Sequence, residues 1–379
     1  ISTTGDITIA EDLTVSGDLV PSTALSHRNI IINGGMQVAQ RSTAEVIISD
    51  GSNEGYQTVD RFSQSFGSAA GGAVKWTQVQ NEVPDISGGD MFTNSLKVQC
   101  STATTENTNK EINIVTKLEV QDMERFGWGK TNKKDAVLSF YFKTSVTGIY
   151  SIYLQTSGSG TRRRMISFSV ADTNWNRYEI PISADTVALS GASNSFGISI
   201  AWQLINVPNY EYTGGTDSGW GTTIYLTDDG QVDFMGTSNT LYLTGVQLEL
   251  GSNATPFEHR SYGEELARCQ RYCQARIGSE GSNGSNSQLG YGIARSTTAA
   301  FFQDRLQVKM RTAPSVTVVN PTNFYVYQTS LTATTAVAFD ISDVNTVSLS
   351  ASVSSGLTVP TFYTLGTNNA NAQIIYSSE

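Results

Sequence analysis

Charged residues are scarce in this sequence. Lysine, arginine, aspartate and glutamate make up only 15% of its 379 residues, against roughly 25% in an ordinary globular chain. The acidic residues outnumber the basic ones by 34 to 24, which gives a net charge of -10. A chain of this charge lacks the bulk attraction that brings proteins to nucleic acid or to anionic membranes. We therefore expect no nucleic-acid partner. We also expect no membrane insertion, because no apolar run approaches the roughly 20 residues of a spanning helix.

Cysteine and histidine are scarcer still. The three cysteines, Cys100, Cys269 and Cys273, are too few for a disulfide framework and have no further ligands at metal-binding spacing. The two histidines, His27 and His259, have no nucleophile near them in the sequence, and no P-loop, nucleophile elbow or zinc motif occurs. Some pair among the 34 acidic residues could always be invoked for glycan cleavage, but the sequence cannot select one. We expect a protein that is not an enzyme, without a metal or a cofactor.

Two short segments match a binding motif only in part. Residues 50–55 have the oxygen spacing of the first half of a calcium loop, but Arg61 stands where the bidentate glutamate belongs, which favours an ordinary turn. Residues 162–164 are three consecutive arginines. We interpret this basic run as a solvated strand edge or turn, with contact to a neighbouring subunit or an anionic glycan as the alternative.

Glycine, serine, threonine and asparagine take the place of charge, and they separate many short strand-like runs. Apolar and polar residues alternate within these runs, as they do in strands with one buried face. The runs recur from residue 28 to 260 and again from 276 to 379. We predict an all-β fold, with a jelly-roll β-sandwich domain over 28–260 and a second C-terminal β domain over 276–379.

The stretch between these two domains predicts one short helix. Ser261 followed by Glu264 is a capping box, so a helix should begin there and run over about 261–275. Four residues then share one helical stripe: Tyr262, Leu266, Cys269 and Cys273. A helix of this length is not stable alone. We expect this stripe to pack where the helix joins the two domains, or at the three-fold axis of a trimer.

Residues 1–27 carry a short internal repeat. Gly5-Asp6 recurs as Gly17-Asp18, and apolar residues alternate between and after these pairs. One chain cannot bury both faces of such strands, whereas three copies wound together can. We predict a β-repeat shaft and a homotrimer, with a disordered polar linker as the alternative for this segment.

The sharpest cue for binding is a group of aromatic residues in a glycine-rich segment, residues 209–221. So many glycines are not typical of a core strand. Sugar rings stack on aromatic faces, and neighbouring polar groups bond their hydroxyls. The candidate carbohydrate-binding residues are Asn209, Tyr210, Tyr212, Asp217 and Trp220. The alternative is that these rings cap the end of the sandwich.

Three segments carry a resemblance to a known family. They are RNIIINGGMQVAQRST with the GYQTVDRF that follows it (28–62), TGVQLELGSNATPFEHRSYGEELARCQRYC (244–273) and MRTAPSVTV (310–318). These resemble the start, the junction and the C-terminal domain of tail-fibre and related appendage proteins of tailed bacteriophages. Together they bracket nearly the whole chain from Arg28 onward.

The resemblance implies a homotrimeric appendage on the outside of a virion. Its partners would be other tail or fibre proteins at the N-terminal segment, and a host-surface glycan or lipopolysaccharide as receptor. Several weak sites on a trimer would act together through avidity. A purely structural fibre or baseplate part without a ligand is the alternative, and a glycan depolymerase is a third possibility. The motifs do not specify the host or the sugar.

Overall fold

A computed structural model gives the arrangement of most of the chain. It describes residues 26–49, 53–66, 71–85, 91–104, 111–157, 161–277, 287–367, 369 and 371–379. The predicted β-repeat therefore lies outside the described residues, apart from its last two positions. The described residues form twenty-two strands and two short α-helices. The predicted all-β fold class is confirmed.

Residues 46–250 build a jelly-roll-like sandwich of two antiparallel sheets. The first has six strands in the order β1 (Val46–Ser49), β3 (Ala73–Gln80), β4 (Asn94–Thr102), β13 (Thr240–Leu250), β6 (Ala136–Thr144) and β9 (Asn176–Ile182). The second has five, in the order β2 (Phe62–Phe66), β5 (Ile112–Glu119), β10 (Phe196–Gln203), β7 (Gly148–Thr156) and β8 (Arg163–Val170). A short parallel pair, β11 (Glu211–Tyr212) and β12 (Thr227–Asp228), completes this part of the chain.

The core of the sandwich follows from the alternation of apolar residues along each strand. Phe140 and Phe142 of β6 are both buried against the opposite sheet. The ring of Phe168 meets them edge to face, at centroid distances of 5.3 and 5.5 Å. Trp202 of β10 meets Phe140 in the same way at 5.5 Å. Edge-to-face rings add to the stabilisation from apolar burial, so this cluster holds the two sheets together.

Two short helices interrupt the strands. The first, α1 (Val120–Met123), follows β5 directly and continues as a 3-10 turn, Glu124–Phe126. The second, α2 (Tyr262–Gln270), begins at the predicted cap, where the Ser261 side chain accepts a hydrogen bond from the backbone of Glu264. It ends at Gln270, five residues before the predicted end. Residues from Cys273 onward leave the helix because they pair with a distant strand instead.

The C-terminal part of the chain forms a three-stranded sheet and a closed barrel. The sheet has the order β14 (Cys273–Ile277), β22 (Gln373–Ser377) and β17 (Ser315–Val319). The barrel runs through β15 (Ser287–Ser296), β16 (Ala299–Arg305), β20 (Thr346–Val353), β19 (Leu331–Ser342), β18 (Phe324–Tyr327) and β21 (Phe362–Thr367). A closed barrel leaves no free edge within its own sheet. Its interior is packed with apolar side chains such as Phe302, Leu349 and Leu365.

A polar joint connects the sandwich to the C-terminal sheet. Glu119, at the end of β5, accepts hydrogen bonds from Arg271 at 3.0 and 2.9 Å and from the hydroxyl of Tyr272 at 2.6 Å. Arg311 and Asn194 exchange side-chain-to-backbone hydrogen bonds, both of 3.1 Å. Two of the three segments that resemble phage appendage proteins supply residues to this joint, 244–273 with Arg271 and Tyr272 and 310–318 with Arg311. The segment 28–62 adjoins it through Arg61, whose guanidinium carbon lies 3.5 Å from the ring centroid of Tyr272.

Candidate functional site

The glycine-rich segment predicted to bind carbohydrate is fastened to the outer edge of the sandwich. Arg163 of β8 exchanges two backbone hydrogen bonds with Gly221, of 2.7 and 2.9 Å. The backbone of Ser218 donates to the carbonyl of Met165 at 2.9 Å. Since β8 is the edge strand of its sheet, the segment covers that edge and satisfies part of its free backbone.

The three consecutive arginines hold this segment in place. Arg162 donates to the backbone oxygen of Trp220 at 2.8 Å and pairs with Asp185 at 3.1 Å. Arg163 donates to the carbonyl of Thr222, and Arg164 donates to the carboxylate of Asp217, both at 2.9 Å. The run does lie at a strand edge, since β8 is the edge strand of its sheet, but each guanidinium group also has a partner within the chain.

The predicted binding residues lie on the same segment but are engaged to different degrees. The indole nitrogen of Trp220 donates to the backbone of Ser183 at 2.7 Å, and its ring meets that of Trp128 at 5.2 Å. Tyr212 packs edge to face with Tyr225 at 5.0 Å. Tyr210 is half-buried against the sandwich core, Asn209 is exposed, and the Asp217 carboxylate pairs with Arg164. These contacts leave Trp220 and Asp217 with little freedom to take up a ligand.

The predicted helix residues divide between burial and exposure. Cys269 is fully buried and Leu266 is half-buried, in a small cluster with Ile32, Val38 and Tyr272. Tyr262 is 58% exposed. Cys273 is buried too, but it lies on β14, so it does not extend the helical stripe. Burial raises the pKa of both thiols well above the usual value, which makes them unreactive at neutral pH.

A second aromatic surface lies on the outside of the barrel, and we call it the barrel groove. It encloses about 330 Å³ between β15, β16, β19, β20 and β21. The side chains that line it include Tyr291, Arg295, Phe301, Gln303, Asp340, Ser348 and Phe362. Its volume falls in the range of about 300–1,000 Å³ typical of small-ligand sites.

The strand register explains why these residues come together. Ile293 lies opposite Phe301 on one side and Phe362 on the other. Tyr291 lies opposite Gln303, and Gln303 lies opposite Ser348. Directly paired residues share a face of the sheet. The outward positions of these strands therefore form a continuous surface that no single strand carries alone.

The aromatic residues of the groove are unusually open to solvent. Tyr291 is 72% exposed and Phe362 is 77% exposed. The guanidinium carbon of Arg295 lies 4.2 Å from the ring centroid of Phe301, a cation–π contact that holds both side chains. Grouped exposed aromatic residues on a protein surface are typical of a binding site, whereas scattered ones are not.

Polar groups stand beside these rings. Ser348 and Ser350 lie on the outward face of β20, next to Gln303 and Phe301 of β16. Asp340 is the only carboxylate among the described residues that line the groove. This combination suits a neutral or weakly polar ring stacked on an aromatic face with its hydroxyls bonded at the rim. Glycoside hydrolysis would need a second carboxylate.

Other chemistry finds little support among the described residues. Within them, no group of three or more histidine, cysteine, aspartate and glutamate side chains could hold a metal ion. The ring of His259 packs against those of Phe257 at 4.9 Å and Phe92 at 5.3 Å. In the same part of the chain, no helix is long and apolar enough to cross a membrane.

The sequence contained a signal for the barrel groove that our reasoning missed. Tyr291 stands between Gly290 and Gly292, and Phe301 and Gln303 alternate with buried neighbours on the next strand. An outward aromatic residue flanked by glycines is a cue to an exposed platform. The sequence alone could not place Tyr291 near Phe362, because that requires the pairing of β15 with β21.

Comparison with known proteins leaves the family open. No family model and no curated protein matches the chain. Among solved structures, 54% of the chain is similar to the enzymatically active domain of tailspike protein 4 of bacteriophage CBA120, with 12% identity and a TM-score of 0.30; the match spans only 21% of that protein. It is also similar to the family 11 carbohydrate-binding module of the cellulosomal cellulase Lic26A-Cel5E of Clostridium thermocellum, over 58% of this chain and 99% of the module, with 14% identity and a TM-score of 0.27. At these values the likeness says nothing about ligand or activity.

Proposed function

We propose that the protein is a homotrimeric tail-fibre protein of a tailed bacteriophage that adheres to a glycan on the host surface. The observation that carries the adhesive role is the barrel groove, where exposed Tyr291 and Phe362 stand beside hydroxyl and carboxylate groups. The phage assignment is supported by the three segments that resemble appendage proteins.

In this proposal the barrel presents the receptor site and the sandwich supports it. Phe362 and Tyr291 stack on the apolar face of a sugar ring. Ser348, Gln303 and Asp340 bond its hydroxyls. One such site binds weakly, because it is shallow and open to water. Three sites on one trimer, and several trimers on one virion, raise the overall affinity without new contacts.

The segment 209–221 has a supporting role in this proposal. Contacts with arginine residues anchor it along β8, and the indole N–H of Trp220 donates a hydrogen bond to the backbone oxygen of Ser183. We assign it to shielding the edge of the sandwich, a task that needs rigidity rather than an accessible surface.

The test is binding to an array of bacterial glycans and lipopolysaccharides. We expect the wild-type protein to bind a limited set of glycans, and Tyr291→Ala and Phe362→Ala to lose that binding at least 10-fold. Tyr327→Ala removes another exposed tyrosine of the barrel, on β18 and outside the groove lining, and should bind like wild type. Trp220→Ala should keep binding as long as it folds.

Three outcomes would contradict the proposal in different ways. Loss of binding in Trp220→Ala with full binding in Tyr291→Ala would move the site to the segment 209–221. No binding by the wild type, including to surface glycans from the true host, would favour a purely structural fibre. Release of reducing ends from a bound polysaccharide would favour a depolymerase.

A further inference from the structure

A second cavity lies at the joint between the sandwich and the C-terminal sheet. It encloses about 370 Å³, and we call it the junction cavity. Its sandwich side is a row of three outward residues on adjacent strands, since Ser199 lies opposite Lys117 on one side and Gln155 on the other. Arg311 and Tyr272 line its opposite side.

Positive charge lines this cavity in an otherwise acidic protein. Arg61, Lys117 and Arg311 face two carboxylates, those of Glu119 and Glu379. Glu119 is already fully occupied by Arg271 and Tyr272. The remaining carboxylate, Glu379, lies between Arg41 at 3.6 Å and Arg61 at 3.8 Å.

Lys117 and Arg311 also interact with Glu379, but at longer range than Arg41 and Arg61 do. In the described part of the chain, neither forms an ion pair within 4.0 Å. Arg311 donates only to the backbone oxygens of Ser378, at 2.7 Å, and Asn194, at 3.1 Å. Partial burial and the nearby guanidinium groups of Arg61 and Arg311 lower the pKa of Lys117, and the carboxylate of Glu379 only partly offsets them. An anion placed between these cations would relieve that repulsion.

The other walls of the cavity suit a sugar. The side-chain oxygen of Gln155 accepts a hydrogen bond from the hydroxyl of Tyr153 at 3.0 Å, and its amide N–H groups donate to no other described residue. Ser199 supplies a hydroxyl next to it. Phe196 and Tyr56 supply apolar surface. The cavity volume is near the lower end of the range of about 300–1,000 Å³ for small-ligand sites, which fits one sugar residue rather than a chain.

We propose that the junction cavity binds an acidic sugar residue, with Lys117 and Arg311 holding its carboxylate and Gln155 and Ser199 bonding its hydroxyls. The inference deepens the proposed adhesive function, because it names a charged glycan component as a second ligand. The cavity is distinct from the barrel groove, and each site has its own test.

Isothermal titration of the full chain with free D-glucuronate tests the proposal. We expect millimolar binding that weakens as salt is raised, since charge carries most of the attraction. Glucose, which lacks the carboxylate, should bind at least 10-fold more weakly. Inorganic phosphate, which lacks the sugar, should also bind at least 10-fold more weakly, because it makes no use of Gln155, Ser199 or the apolar walls.

Lys117→Gln is the decisive variant. The Lys117 side chain has no ion-pair partner, so its loss should leave the thermal midpoint unchanged while glucuronate affinity falls at least 10-fold. Lys143→Gln is the control, because Lys143 pairs with Glu82 at 2.6 Å on the six-stranded sheet, away from the cavity. It should bind glucuronate like wild type.

The proposal is overturned if glucuronate does not bind, or if it binds Lys117→Gln as tightly as wild type. Phosphate binding as tightly as glucuronate also overturns it, since the site would then take any small anion. Failure here leaves the array test of the barrel groove unaffected. Conversely, loss of array binding in Tyr291→Ala with intact glucuronate binding separates the two sites.

Discussion

Asp60 has no exposed surface, and the groups around it only partly balance its charge. The backbone and side-chain nitrogens of Gln40 donate to its carboxylate at 3.2 and 2.6 Å, and Arg41 lies 3.7 Å away. Burial outweighs these contacts and raises the pKa of Asp60 to about 7. Between about pH 4 and pH 7, Asp60 therefore keeps its proton in the folded protein. In the unfolded chain, where an aspartate has a pKa near 3.9, it has already released that proton.

This residue predicts a dependence of stability on pH. A raised carboxyl pKa contributes stability that is fully present below the unfolded pKa and is lost as the pH rises through about 7. Asp60→Asn has no proton to lose at this position. We expect its free energy of unfolding to change less between pH 5 and pH 8 than that of wild type, as measured by urea denaturation.

The control for this experiment is Asp343→Asn. Hydrogen bonds from the backbones of Asn345 and Thr346 and from the Thr346 side chain lower the pKa of Asp343, so its contribution has the opposite sign. It is present above the unfolded pKa and lost only in acid. A wild-type slope between pH 5 and pH 8 that survives in Asp60→Asn would assign that slope to other groups.

Among the elements, strand β15 contains two glycines, Gly290 and Gly292, and its packing depends more on Gly292 than on Gly290. A side-chain carbon at Gly292 would overlap the carbonyl oxygen of Phe301 and the ring of Phe302 on β16. The same carbon at Gly290 would meet its nearest atom, the carbonyl oxygen of Gln303, at an ordinary 3.4 Å. Only the first position thus requires glycine for the close approach of two strands.

Paired substitutions in this strand should differ sharply. Gly292→Ala forces β15 away from β16 and should destabilise the barrel by about 1–3 kcal/mol or more. Gly290→Ala should change stability by less than about 1 kcal/mol, because the new methyl group makes an ordinary contact and alanine lowers the conformational entropy of the unfolded chain. Urea unfolding and hydrogen exchange of the barrel amides measure both. Equal effects of the two substitutions would contradict the register of this pair.

At the same scale, local and long-range features were predictable to different degrees. The start of α2 was predictable because it depends on a local contact, the hydrogen bond from the backbone of Glu264 to the side chain of Ser261. Its end was not, because Cys273 pairs with Ser377, more than 100 residues away. The aromatic segment 209–221 could be recognised, but its anchoring could not, since it depends on the bridge between Arg163 and Gly221.

The barrel groove illustrates the same limit at the candidate site. Its residues come from five strands that are neighbours only after the barrel closes. The alternation of residue types along each strand shows which face of its own strand is occupied by Tyr291, Phe301 or Phe362. It does not show that these three faces lie side by side. Side-chain pairing across strands is a property of register, and register depends on the whole chain.

For the whole molecule, the main property to measure is the oligomeric state, which we propose to be a trimer. From the alternating apolar residues of the segment 1–27 we predict that three chains wind together there. Sedimentation equilibrium at micromolar concentration should give three times the chain mass of 40.8 kDa. Ile9→Asp, which places a charge on an apolar position of the repeat, should shift the mass toward the monomer.

Thr8→Asp is the matched control for this measurement. It adds the same charge one residue away, at a position that alternates with the apolar ones, and it should remain trimeric. A wild-type mass of one chain would rule out the trimer. A trimer in both variants would place the subunit contact elsewhere, with exposed Ile341 on β19 as the next position to test.

The pairing of β14 with β22 also bears on how such a protein can evolve. The strand that leads into the C-terminal unit lies beside the last strand of that unit, with Cys273 opposite Ser377. A different barrel can therefore be inserted between these strands without displacing the sandwich, provided that Arg271, Tyr272 and Arg311 are kept at the joint. If the groove binds the receptor as we propose, recombination would then exchange the whole groove at once and change receptor preference in a single step.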